Sequence, residues 1–163
     1  MNRTVTLAIA TLIYGIACVG AVIAETAKDF VGTWTLVSAT TEQGGNKSDT
    51  FGPNAKGVLV FDNNGRYVIT FIGSNVPKFA SNNRAAGTAE ENKAVVAGSL
   101  AHFGTYTVNE ADKSFTFRVE NATFPNWDNT ELKRPFVMTG DELKYTAAAS
   151  AGGTATVIWK RAK

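Results

Sequence analysis

The stretch Phe30–Ser38, "FVGTWTLVS", sets a glycine and then, two residues on, a tryptophan at the head of a β-forming run. Thr33 to Thr41 is rich in β-branched residues and reads as a strand. Gly32 permits a tight backbone approach where that strand enters the fold. Trp34 is large enough to stopper one end of whatever the strand encloses, and its indole N–H needs an acceptor once buried.

The rest of the chain supplies the enclosure. "KGVLVF" and "RYVITFI" flank "DNNG", a hairpin signal because Asn and Gly tolerate positive φ. "HFGTYTV" and "SFTFRVE" flank "NEADK", "NTELKRPFVM" and "ELKYTAAA" flank "TGD", and "GTATVIWKRA" closes the chain. Gln43 to Ala55, rich in Gly, Asn, Ser and Pro, reads as a long first loop. The pattern is all-β: eight sequential antiparallel strands, expected to close into an up-and-down barrel and so abolish their edges. Such a barrel is wide enough either to be filled by side chains or to hold one small ligand. Between the third and fourth strands Thr88 and Glu91 form a capping box, and helix formers continue to Gly98. A short helix over about Ala89 to Ala97 is expected there, across one mouth or along one side.

The first residues read differently. Met1 to Arg3 gives a basic start, Val5 to Ile23 carries no charge, and Ala24 precedes Glu25. This is the layout of a secretory signal peptide over residues 1–24, cleaved after Ala24 to leave one domain, 25–163, secreted or periplasmic and free of the membrane. An uncleaved anchor is the rival. Lipid attachment at Cys18 is disfavoured, because Gly15 stands where a lipobox has a branched aliphatic residue. Cys18 is the single cysteine, so the domain has neither disulfide nor thiolate. A net charge of +2 leaves no footprint for nucleic acid. One histidine and no cysteine cannot make a typical zinc site, and no acidic loop suits calcium, so no metal is expected. No nucleophile elbow, phosphate loop or dinucleotide fingerprint is present, so no cofactor and no catalytic residue is assigned.

The landmarks carry a family likeness. "GTW" (Gly32–Trp34) resembles the first-strand signature of lipocalins, and "WKR" (Trp159–Arg161) resembles their last strand, whose arginine packs over that tryptophan. "FGP" at 51–53, "KGVLVF…NGRY", "FGTYTV", "FPNW" at 124–127, "TELKR" at 130–134 and "GTATVIWKR" resemble a narrower group, the bacterial-type lipocalin-like domain proteins. The likeness implies a calycin-type barrel around a small, mostly apolar molecule. Members of that group often carry histidines in the strand before "FPNW", where this chain has Phe117 and Arg118.

Within that frame Gly32, Trp34 and Arg161 (Lys160 if the register slips) are the expected closure of one barrel end, a guanidinium lying on the indole face. His102, the sole histidine, shares a strand face with Gly104 and Tyr106; it can be a general base, a pocket wall or a plain surface residue, the last being commonest. Arg118 and Glu120 share a face. They form an ion pair inside the barrel or are solvated charges outside it, and burial without partners would be costly. Arg134 alternates with Leu132 and Phe136, so it looks buried and needs an acceptor: Glu120, a backbone carbonyl or a ligand anion. Trp127 either anchors the "FPNW" turn or gates the open mouth, and Phe71 and Tyr106 are core or cavity wall. Arg134, Tyr106, Arg118, Glu120, His102, Trp127 and Phe71 are therefore the candidate ligand contacts.

The sequence favours a monomeric binding module that carries or sequesters a small hydrophobic molecule. A cavity enzyme of isomerase or cyclase type and a filled barrel acting through protein contacts are the alternatives.

Overall fold

The computed structural model describes residues 26–163; the expected signal segment, with Cys18, lies outside the described residues. Nine strands follow one another: β1 (Gly32–Gln43), β2 (Asn46–Asp49), β3 (Lys56–Phe61), β4 (Arg66–Ile72), β5 (Ser99–Asn109), β6 (Ser114–Ala122), β7 (Glu131–Thr139), β8 (Glu142–Ala148) and β9 (Thr154–Arg161). A one-turn helix α1 (Ala27–Phe30) precedes them, and α2 (Ala89–Gly98) lies between β4 and β5. Each strand pairs antiparallel with the next around β1-β3-β4-β5-β6-β7-β8-β9, and β9 returns to β1 from Trp34↔Arg161 to Glu42↔Thr154. The result is a closed eight-stranded barrel, and β2 is an appendage to it.

That appendage corrects the expected long loop. Gly44 and Gly45, both at positive φ (58° and 80°), turn the chain back so that Asn46–Asp49 pairs with Thr40–Gln43. All four β2 residues are exposed, so no apolar alternation marks the ribbon in the sequence. The expected helix follows the "RYVITFI" strand and precedes the "HFGTYTV" strand; counting β2, these are β4 and β5. Its capping box is as read: Glu91 N donates to Thr88 Oγ1 at 3.1 Å and Thr88 N to Glu91 Oε2 at 2.8 Å. Pro135 sits where the chain changes partners, the β6 ladder ending on it and the β8 ladder starting at Phe136.

One barrel end is solid. The α1 turn, held by Thr26 N donating to Asp29 Oδ2 at 2.7 Å, delivers Phe30 into the interior with no exposed surface. Phe30 packs edge-on against Phe61, Phe115 and Phe136 at centroid distances of 5.4, 5.4 and 4.9 Å. Trp34 is fully buried, and its Nε1–H donates to Phe30 O at 2.8 Å. The Arg161 guanidinium lies 4.2 Å over the indole and donates to Asp29 O at 2.7 Å and Val31 O at 2.9 Å. Gly32, at φ +130°, cannot readily carry a side chain, whose Cβ would also crowd Arg161 Nη1 at 3.2 Å.

Removing Phe30 empties the centre of this plug. Phe30→Ala is expected to lower the free energy of unfolding in urea by about 3–5 kcal/mol, against roughly 0.5 kcal/mol or less for Val137→Ala on the outer face.

Candidate functional site

The opposite half of the barrel is hollow, with a cavity of about 440 Å³. The difference lies in the inward-facing side chains. Towards α1 they are Phe61, Phe115, Phe136 and Trp34; towards the other mouth β1, β8 and β9 contribute Ala39, Ala147 and Ala155. Alanine cannot reach the barrel axis, so the space stays empty. Phe51, stacked on Phe71 at 4.9 Å, and the α2 residues Val95 and Val96 border the space as well. The FPNW turn adds Phe124 and Trp127, which pack edge-to-face at 5.7 Å. Anchoring that turn and flanking the mouth are thus one role for Trp127.

Polar groups meet at the inner part of the wall. His102 is buried, correcting the surface reading, and its Nδ1 is 2.7 Å from the Tyr67 hydroxyl. It packs edge-on against Phe117 at 5.5 Å and Trp127 at 5.5 Å. Burial, helped by the positive charge of Arg134, pushes the imidazole pKa down to about 3, so the ring is neutral at ordinary pH. A bulge in β6 shapes this stretch: Phe103 pairs with Asn121 and Gly104 with Val119, so Glu120 is the extra residue, and a Cβ at Gly104 would collide with the Arg118 carbonyl.

Arg134 lines the cavity at 6% exposure. Its one hydrogen bond among the described residues runs from Nη1 to Lys133 O at 3.1 Å. Burial lowers its pKa, and the nearby Tyr145 and Tyr67 partly offset that. Tyr145 also lines the cavity; burial raises its phenol to about 12 against the opposing pull of Arg134. The Trp159 indole N–H is near enough to favour the Tyr145 phenolate, but it makes no hydrogen bond of good geometry.

The structure thus brings together Arg134, His102, Trp127 and Phe71 from the expected set. Three others lie elsewhere. Tyr106 belongs to the solid end, where its ring packs on Phe61 at 4.6 Å and its hydroxyl donates to Asp62 O at 3.1 Å. Arg118 and Glu120 face outwards and pair with other residues: Arg118 with Glu131 at 2.6 Å, Glu120 with Arg66 at 2.8 Å. The reason is the one anticipated: a charge pair is cheaper to hold in water than in an aromatic interior. Glu120 is therefore unavailable to Arg134. Tyr67 and Tyr145 were not singled out from the other strand aromatics in the sequence, although their alternation with apolar neighbours marks them as inward-facing. Among the described residues no cluster of His, Cys, Asp and Glu could hold a metal ion.

A family model described as "Lipocalin-like domain" matches residues 31–162. The chain belongs to the lipocalin-like domain family. No curated protein sequence matches this lipocalin-like chain. Similar solved structures include a redesigned β-barrel at 16% identity, covering 85% of this chain and 96% of that one with a TM-score of 0.46. The wild-type fluorescent protein UnaG is 13% identical over 84% of this chain and 100% of its own, TM-score 0.39. Fatty-acid-binding protein 1 of Echinococcus granulosus is 13% identical over 82% and 98%, TM-score 0.38.

The buried histidine makes the lipocalin-like barrel acid-sensitive. Its folded pKa lies below the unfolded value near 6.5, so the unfolded chain takes up the proton first; stability is full above about pH 6.5 and falls as pH drops. Between pH 6 and pH 5, urea unfolding is expected to lose roughly 1 kcal/mol per pH unit, and His102→Gln is expected to flatten that slope.

Proposed function

We propose that this barrel is an exported module that binds one small, mostly apolar molecule in its hollow half and carries or sequesters it as a monomer. The observation that carries the reading is the cavity of about 440 Å³, walled largely by Ala, Val, Phe and Trp side chains. That volume lies within the range of small-ligand sites, roughly 300–1,000 Å³, and apolar walls with a few convergent polar groups are their usual chemistry. Family membership is consistent with it.

Catalysis is the weaker reading of the same groups. A general acid or base works best with a pKa near the operating pH, and a neutral imidazole at about 3 is a poor acceptor of protons there. A barrel filled throughout by side chains does not match the hollow half.

The test is uptake of the neutral lipophilic dye Nile red by the domain beginning at Glu25. Fluorescence enhancement that saturates at one dye per chain, and is lost in Ala155→Phe while the far-ultraviolet circular dichroism is unchanged, is the expected result. Absence of uptake, together with native mass spectra of host-purified protein showing no small molecule, would sink the reading. Intact mass of that protein also checks export: the mature chain is expected to begin at Glu25.

A further inference from the structure

Among the described residues Arg134 is a buried cation without a carboxylate partner. Its side chain lines a space that has no Asp or Glu in its wall, and tyrosines are the groups whose charge bears on it. Glu120, on the β6 strand that pairs with Arg134 through Phe115, is committed to Arg66 outside the barrel at 2.8 Å. The guanidinium has five N–H donors, of which one is used on Lys133 O among the described residues. Leaving such a charge in an apolar interior is costly unless something completes it.

The groups nearby are donors too. Tyr145 brings a phenol held protonated by burial, and among the described residues the neighbouring Trp159 N–H has no acceptor in good hydrogen-bond geometry. The Tyr67 hydroxyl and His102 Nδ1 share a hydrogen bond at 2.7 Å. A neutral imidazole and a phenol bring two protons to one mutual bond, so the pair keeps one further donor, the phenol O–H or the imidazole Nε2–H. One fixed positive charge, several donors and no competing carboxylate describe a receptor for a single negative charge with acceptor oxygens. The remainder of the wall, from Phe71 to the alanines of β8 and β9, suits hydrocarbon.

We propose that the ligand is an amphipathic monoanion, its carboxylate seated on Arg134 beside Tyr145 and its apolar body extending towards the mouth between Trp127 and α2. This rests on the cavity-binding reading and names the class of molecule it takes. A planar guanidinium matches a carboxylate through two parallel N–H···O bonds, a fit that a lysine ammonium does not reproduce.

The experiment compares decanoate, 1-decanol and decylamine as competitors of bound Nile red, at pH 7.5, on the wild-type domain. Decanoate is expected to displace the dye at least tenfold more tightly than decanol, with decylamine weakest. Arg134→Met is expected to erase the preference for decanoate over decanol, and to leave the ligand-free protein as stable as wild type or more so. A purely structural arginine would instead cost stability and move both competitors alike. Equal displacement by decanoate and decanol overturns the anion inference and leaves the cavity reading standing. Failure of every probe, Nile red included, overturns both. The wild-type comparison decides the matter even if Arg134→Met does not fold, and Arg134→Lys, expected to keep part of the preference, supplies a second variant.

Discussion

The Arg161 guanidinium joins the last strand to the entry turn and the first strand at the other end of the fold. It covers the Trp34 indole at 4.2 Å, fixing the last strand to the first, and donates to the Asp29 and Val31 carbonyls, fixing the entry turn to both. The attachment adds to the hold on Phe30, which centres the ring of phenylalanines through its own packing and the Trp34 bond to its carbonyl. A cation over an aromatic face contributes about 0.5–2 kcal/mol by itself. Its larger effect is geometric, because closure of the sheet and sealing of one end occur at the same residues.

Sealing one end leaves the other free to be hollow. The barrel's inward positions divide into an aromatic half and a half built partly from alanine, so stability and binding capacity draw on different residues. Burial of the phenylalanine cluster holds the fold, and the buried polar groups at the inner cavity wall work against it. A neutral His102 and an undercompensated Arg134 are costs that a sequence selected for stability alone would have replaced with hydrocarbon. Their position beside an empty space is what the proposed binding role rests on.

Much of this was legible in the residues. The order of the barrel strands, the α2 capping box and the Trp34–Arg161 closure follow from turn chemistry, periodicity and family landmarks, and the structure has all of them. The apolar alternation around Arg134 correctly indicated burial. What was hidden had a common cause: local pattern reports which face a side chain takes but not how far along the barrel it lies. Tyr106 and Tyr67 both face inwards, yet one is packed into the solid end and the other bonds to the cavity histidine. β2 was missed because an all-polar ribbon has no face to bury. Arg118 and Glu120 needed knowledge of which neighbours, Glu131 and Arg66, stood beside them across the sheet.

The α2 helix has no buried residue, and Val96 remains 78% exposed although α2 borders the cavity. Little apolar surface would have to be uncovered for its N-terminal part to swing aside, while its C-terminal end stays tied to the barrel by Gly73 N donating to Gly98 O at 2.7 Å and Ser99 Oγ to Val95 O at 2.6 Å. For a ligand of the proposed kind, traffic in and out would be governed by the rim, so residence time and affinity could be tuned apart: the former by the side chains of one short segment, the latter by the wall behind it.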